Sequence, residues 1–447
     1  MASEQPINAG VPTAQPKPGA KGEPAPKPKP PAKPQPEPQP RRRRRKPIPT
    51  ALKAIAGLFA LAIVFIVAAI AGGGNGDSGE EGPAPAGGAP STPAEAPATQ
   101  TPEDLGYPAF ATANTTRVGG ADPAASAAGV ALATYPSTTE AQRPAAVTVV
   151  DADDWPTAIA AAALMAPPIG APLLVSDAGE MPAVTAEALS ALDPQGSAET
   201  AGAQVIAIGS AATPADMETN RVRGRGGAGA AAIAALREQL TGSPPRHFIV
   251  APAADPAFAM PAAAWAARSG DAVLFTGPDE LDRATAAALR DRPKAPVYVL
   301  GPSAAISSDV VREIGRISGR VRRVSGEDPV ANAVALARYA DGGFGWNVND
   351  PGHGFVVARS DEPLDAAAAA PLSAAGTWGP LLLTDSADTL PAALRGYLLD
   401  VKPGYTTDPT RAFYNHVWVI GDREAISVNE QAEIDELAAL TKIGGEE

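Results

Sequence analysis

Residues 355–366 read FVVARSDEPLDA: an apolar run, a charged turn, then an Ala-rich stretch opened by proline. The same order stands at 147–158 as VTVVDADDWPTA and at 248–259 as FIVAPAADPAFA. A short apolar run bounded by turn residues and followed by good helix formers predicts a buried strand leading into a helix. Proline near the start of the helical stretch costs nothing, because the first-turn N–H groups have no intrahelical partner.

Further along, each copy holds a second apolar run, APLLVSD at 171–177, DAVLFTG at 271–277 and GPLLLTD at 379–385. A third run then ends in glycine, at Gly209, Gly301 and Gly421. Upstream of each copy stands Arg-Val-x-Gly, beginning at Arg117, Arg221 and Arg323. Before two of the Ala-rich helices that follow, Asp122-Pro123 and Asp328-Pro329 suit an N-cap and a first helical position. The predicted strands are Val147–Val150, Pro172–Ser176, Val205–Ile208, His247–Val250, Ala272–Thr276, Val297–Leu300, Phe355–Ala358, Pro380–Thr384 and Val417–Ile420. They are apolar on both faces and alternate with helices, which predicts α/β units with buried parallel sheets. The fixed order, three times over, predicts a tandem repeat.

The whole chain has 447 residues, 49 Pro, 44 Gly and no Cys, with a net charge of −13. Lack of cysteine excludes a disulfide scaffold, an iron–sulfur site and any thiolate zinc site. The charge is segregated. Residues 1–50 hold 11 Lys and Arg against three Glu, a net of +8, and the remainder carries −21. That field argues against a nucleic-acid partner.

Residues 1–50, rich in Pro and closed by Arg41 to Lys46, read as a disordered basic tail. The uncharged run Ala54 to Ala71, preceded by that cationic block, predicts a transmembrane helix over 51–71 with the N-terminus inside. Residues 72–111, rich in Gly, Pro and Ala, read as a linker. The expected localisation is the cell membrane, single-pass, with the C-terminal region outside.

From about 112 to 440 the sequence resembles the cell wall binding repeat 2 family of Gram-positive surface proteins. The carriers are the Arg-Val-x-Gly start, the stretch from Val356 to Ala366, the Pro-Leu-Leu-Leu-Thr-Asp strand at 380–385 and the Val-Trp-Val-Ile-Gly closure at 417–421. The resemblance implies three Rossmann-like modules, 112–215, 216–318 and 319–440, in a pseudo-threefold arrangement. It also implies non-covalent attachment to a cell wall polymer or glycan. No cofactor or catalysis is expected, because no G-x-S-x-G elbow, P-loop or H-E-x-x-H motif appears. The alternative is a membrane-tethered scaffold docking another protein through the same modules. The family's Asp-Ala pair stands intact only at Asp365-Ala366. At Thr157-Ala158 and Phe258-Ala259 the carboxylate is lost, which leaves a purely structural role open for the first two copies.

The candidate ligand-binding residues are Arg117, Arg221, Arg323, Asp154, Asp255, Arg359, Asp361, Glu362 and Asp365. The three repeated arginines are equally suited to hold an anion bidentately or to tie modules together through carbonyls. Asp154, Asp255 and Glu362 stand just beyond a strand's C-terminal end, where open α/β sheets bind ligands and where helices also need caps. An insert in the third copy, Asp341–Gly354, offers Phe344, Trp346, Asn347, Asn349 and His353 to a sugar, or packs its Trp inward. Gly224 to Gly229 fits G-x-G-x-x-G but lacks a good preceding strand, a weak signal for a dinucleotide. No metal site is expected.

Overall fold

The computed structural model describes residues 110–374 and 379–444. All nine expected strands form within two residues of their predicted bounds. The first strands are Val147–Asp151, Phe248–Pro252 and Gly354–Arg359, the second Leu173–Ser176, Ala272–Thr276 and Leu381–Thr384, and the third Val205–Ile208, Val297–Leu300 and His416–Ile420. First and second strands are buried along almost their whole length, as parallel sheets covered by helices require.

The Arg-Val motifs, expected only to precede Ala-rich helices, are themselves strands and add to the nine expected. These lead strands are Thr115–Val118, Thr219–Val222 and Val321–Val324. Each pairs in parallel with the third strand of the preceding repeat. Val222 lies opposite Ile208, and Val324 opposite Leu300. The lead strand of the first repeat joins the last sheet, with Val118 opposite Ile420. All three sheets therefore run second–first–third–lead, and the donation of lead strands closes on itself. A two-residue strand, Phe110–Ala111, turns back antiparallel on the closing one.

Behind each first strand comes an Ala-rich helical segment: Trp155–Ala161 with a 3₁₀ turn to Met165, Pro256–Ala259 with Pro261–Ser269, and Pro363–Ala368 with Ala370–Ala374. The three segments touch one another in every pairing. Ala158 to Ala163, Ala262 to Ala264 and Ala366 to Ala370 are all buried there. A methyl side chain lets helix axes approach closely, since interaxial distance follows the side chains at the contact. One apolar cluster runs through all three repeats as a result.

The expectation of a membrane-spanning protein is corrected. Residues 51–71 lie outside the described residues, and among the described residues no helix is long and apolar enough to cross a membrane. The architecture that stands is α/β with several parallel sheets. The single-pass localisation and the membrane partner find no support among the described residues. The tail over 1–50 and most of the linker over 72–111 also lie outside the described residues.

Candidate functional site

In each sheet the chain runs from the first strand to its neighbour on one side, then crosses to the third strand on the other. The C-terminal ends of the first and third strands therefore border a topological switch point, where ligands enter open α/β sheets. The acidic turns and Gly209, Gly301 and Gly421 meet there. The N-terminus of the next lead helix covers each crevice, and three equivalent crevices result.

The repeated arginines sit beside these crevices with their donors already engaged. Arg117 is 1% exposed. Its Nε donates to Gln431 Oε1 at 3.0 Å, Nη1 to the Gly421 carbonyl at 3.0 Å and Nη2 to the Ile426 carbonyl at 2.6 Å. Nη1 also reaches the Asp422 carbonyl. Burial pulls its pKa down to about 10, against the opposing pull of Asp422, so it remains a cation at neutral pH. Arg221 donates to the carbonyls of Gly209 at 3.0 Å and Ala211 at 2.9 Å. Arg323 donates to the carbonyls of Gly301 and, at 2.6 Å, Ile306. In all three copies the guanidinium fastens a lead strand to the glycine turn of the preceding repeat, a task that uses its several coplanar donors.

The first crevice is filled by the chain itself. Asp151 accepts from the Ser210 hydroxyl and from Arg225 Nη1. Arg225 Nη2 donates to the Asp153 carbonyl at 2.7 Å. Asp154 accepts from the Gly226 backbone N–H at 3.1 Å, and so caps the helix Gly226–Thr241 from the neighbouring repeat. The G-x-G-x-x-G helix thus meets a protein carboxylate at the end where a dinucleotide would place its phosphate. Gly229 is needed for this fit: a Cβ there would stand 2.4 Å from Thr157 Cγ2.

The second crevice is plugged by an apolar ring. Phe258 lies against Gly301, and its carbonyl accepts from Asn332 Nδ2 at 3.3 Å. Asp255 is half-buried ahead of the short helix Pro256–Ala259 and makes no side-chain cap to it.

The third crevice holds four of the expected residues together. Arg359 grips Asp361 bidentately, Nε to Oδ1 at 2.9 Å and Nη2 to Oδ2 at 2.7 Å. That bond, foremost, holds the Asp361 carboxyl below its ordinary range. Glu362 is exposed at the rim, and partial desolvation with the Asp361 charge raises its pKa. Asp365, 5% exposed, lies behind them. Burial first, then Glu362, pushes its pKa up to about 7. The buried Ser126 hydroxyl, contributed by the first repeat's lead helix, faces this carboxyl and pulls its pKa the other way. This crevice alone joins residues from opposite ends of the chain. Sequence reasoning found Asp365 but missed Ser126, because only the circular closure brings position 126 to position 365.

In the insert, Phe344 stacks on Tyr298 with ring centres 3.7 Å apart, and Trp346 packs edge-on to Trp265. They are 1% and 7% exposed, so the sugar-stacking reading of these two rings is replaced by a core role between repeats. Asn349 bonds Arg338, and His353 stands beside Asp350. Asn347 turns the loop in left-handed backbone at φ 54°. No group of His, Asp or Glu among the described residues is arranged to hold a metal ion.

Residues 323–430 match the family model of cell wall binding domain 2. Two solved structures share the fold, both from Clostridium difficile. Cwp6 aligns at 18% identity and a TM-score of 0.57, over 73% of this chain and 48% of its own. Cwp8 aligns at 18% identity and a TM-score of 0.54, over 73% of this chain and 52% of its own. The chain thus spans about half the length of each. No curated protein matches it in sequence.

Proposed function

We propose, starting from the membership of residues 323–430 in the cell wall binding domain 2 family, that this chain attaches without catalysis to a polymer or glycan of the cell wall. The contact is non-covalent and uses the crevice closed by the first and last repeats. The observation that carries this reading is the contrast among three equivalent crevices. Arg225 and Asp154 fill the first, Phe258 fills the second, and the third keeps a charged rim of Arg359, Asp361 and Glu362. An exposed carboxylate beside a guanidinium offers acceptors and donors to the hydroxyl groups of a saccharide. The acidic surroundings favour hydroxyl recognition over phosphate, so binding is expected to fall only modestly with added salt.

The test is co-sedimentation of the full chain with purified wall sacculi from 50 mM to 500 mM salt. A saturable bound fraction with no release of soluble wall fragments supports the reading. Absence of binding across the series overturns it, and release of wall fragments would replace attachment by hydrolysis.

A further inference from the structure

Two of the three lead strands grow directly out of the repeat whose sheet they complete. The third does not, since Arg117 and the Gly421 carbonyl it grips lie 304 residues apart. Closure here is a non-covalent clasp between the two ends of the folded region. The loss of chain entropy rises with the logarithm of the closed loop, so this junction needs more bonds than the other two. It has them. Asn114 N–H donates to Asp435 Oδ1 at 2.7 Å, Thr112 bonds the same carboxylate, and Gln431 Nε2 donates to Thr115 Oγ1 at 2.9 Å. The four donations of Arg117 complete the set.

Nothing in these bonds requires that donor and acceptor belong to one molecule. Beyond the strand, Gly119 sits at φ 128°, and a Cβ on it would stand 2.7 Å from the Gly421 N. With Gly120 it makes the turn between the lead strand and the helix Pro123–Thr134. The same junction also gathers like charges. Asp122, Asp422 and Glu362 all bear on Asp365 there, Arg423 stands near Arg117, and Arg359 is taken up by Asp361. The first junction is clamped by Arg225 and the second by Asn332.

We propose that the lead strand Thr115–Val118 is exchanged between copies of this chain, docking on the edge of His416–Ile420 in a second molecule. A head-to-tail donation that closes on itself in one chain can equally continue from chain to chain. The partner is a second copy, because the edge reads this strand's own arginine and register.

The absence of native cysteine allows a direct test. Thr116 and Trp418 lie opposite one another across the clasp. Full-length Thr116→Cys and full-length Trp418→Cys are mixed, incubated at high concentration, then oxidised and run without reductant. Exchange predicts a disulfide-linked heterodimer at least tenfold above the pair Thr116→Cys with Glu140→Cys, whose second thiol sits at an exposed position outside the clasp. A chain carrying both clasp cysteines, oxidised while dilute, should be locked and yield no dimer on concentration. A second pair, Thr112→Cys with Asp435→Cys, gives the same readout if Trp418→Cys fails to fold. No linked dimer above control from either pair would overturn the proposal.

Discussion

Replacing Asp365 with Asn tests the electrostatics of the closing crevice. The carboxyl is buried, its pKa stands at about 7, and the ordinary value is 3.8. The folded chain therefore holds a proton on this group that the unfolded chain gives up between about pH 4 and pH 7. Stability from the neutral acid is complete below pH 4, falls as pH rises through that window, and stays lost above it. About three pH units at about 1.4 kcal/mol each set an upper bound of about 4 kcal/mol. Asn keeps the shape and cannot ionise. The full chains should melt together near pH 4, and at pH 8 the Asn variant should melt higher, by up to about 8 °C at about 2 °C per kcal/mol. Thermal unfolding from pH 4 to pH 9, followed by circular dichroism, measures the difference. Parallel pH profiles for the two proteins would refute the assignment of a neutral acid at position 365.

Arg117→Ala should cost about 3–5 kcal/mol, because it strands Gln431 and three carbonyls in a buried site. Arg221→Ala, at an exposed edge, should cost about 1 kcal/mol or less, and urea unfolding compares the two. Ala264→Leu inserts bulk where the three inner segments touch and should destabilise by about 1–3 kcal/mol, read as a lower urea midpoint. Gly229→Ala should destabilise through its collision with Thr157 Cγ2, and Thr157→Ser, which removes that methyl, should restore only part of the loss in a double-mutant cycle, because the new Cβ also stands 2.9 Å from the Gly224 carbonyl oxygen.

The short apolar runs were legible because buried parallel strands need few residues and nearly continuous apolar character. Val205–Ile208 and Val297–Leu300 lie where the sequence put them. The lead strands were not legible as strands. Thr219 to Val222 alternates exposed and covered positions and carries an arginine, so its pattern is that of an edge. Its partner could not be read from the sequence either, since parallel pairing is non-local. The family segment 323–430 accordingly begins on a strand that belongs to the preceding repeat's sheet. At the candidate site, the acidic turn after Val357 was readable from repeat alignment. The different fates of the three crevices were not, because they depend on Arg225, Asn332 and Ser126 arriving from the next repeat. The insert aromatics show the same limit: spacing alone could not tell that Phe344 stacks on Tyr298.

Central to this account is that wall attachment resides at the crevice whose rim keeps Arg359, Asp361 and Glu362. The direct measurement is the affinity of the full chain for purified sacculi, compared across Glu362→Lys, Asp154→Lys and Asp255→Lys, each first shown to be folded. The account predicts that Glu362→Lys weakens binding at least tenfold while the other two stay within twofold of the parent. Equal losses at all three positions, or full binding by Glu362→Lys, would contradict it.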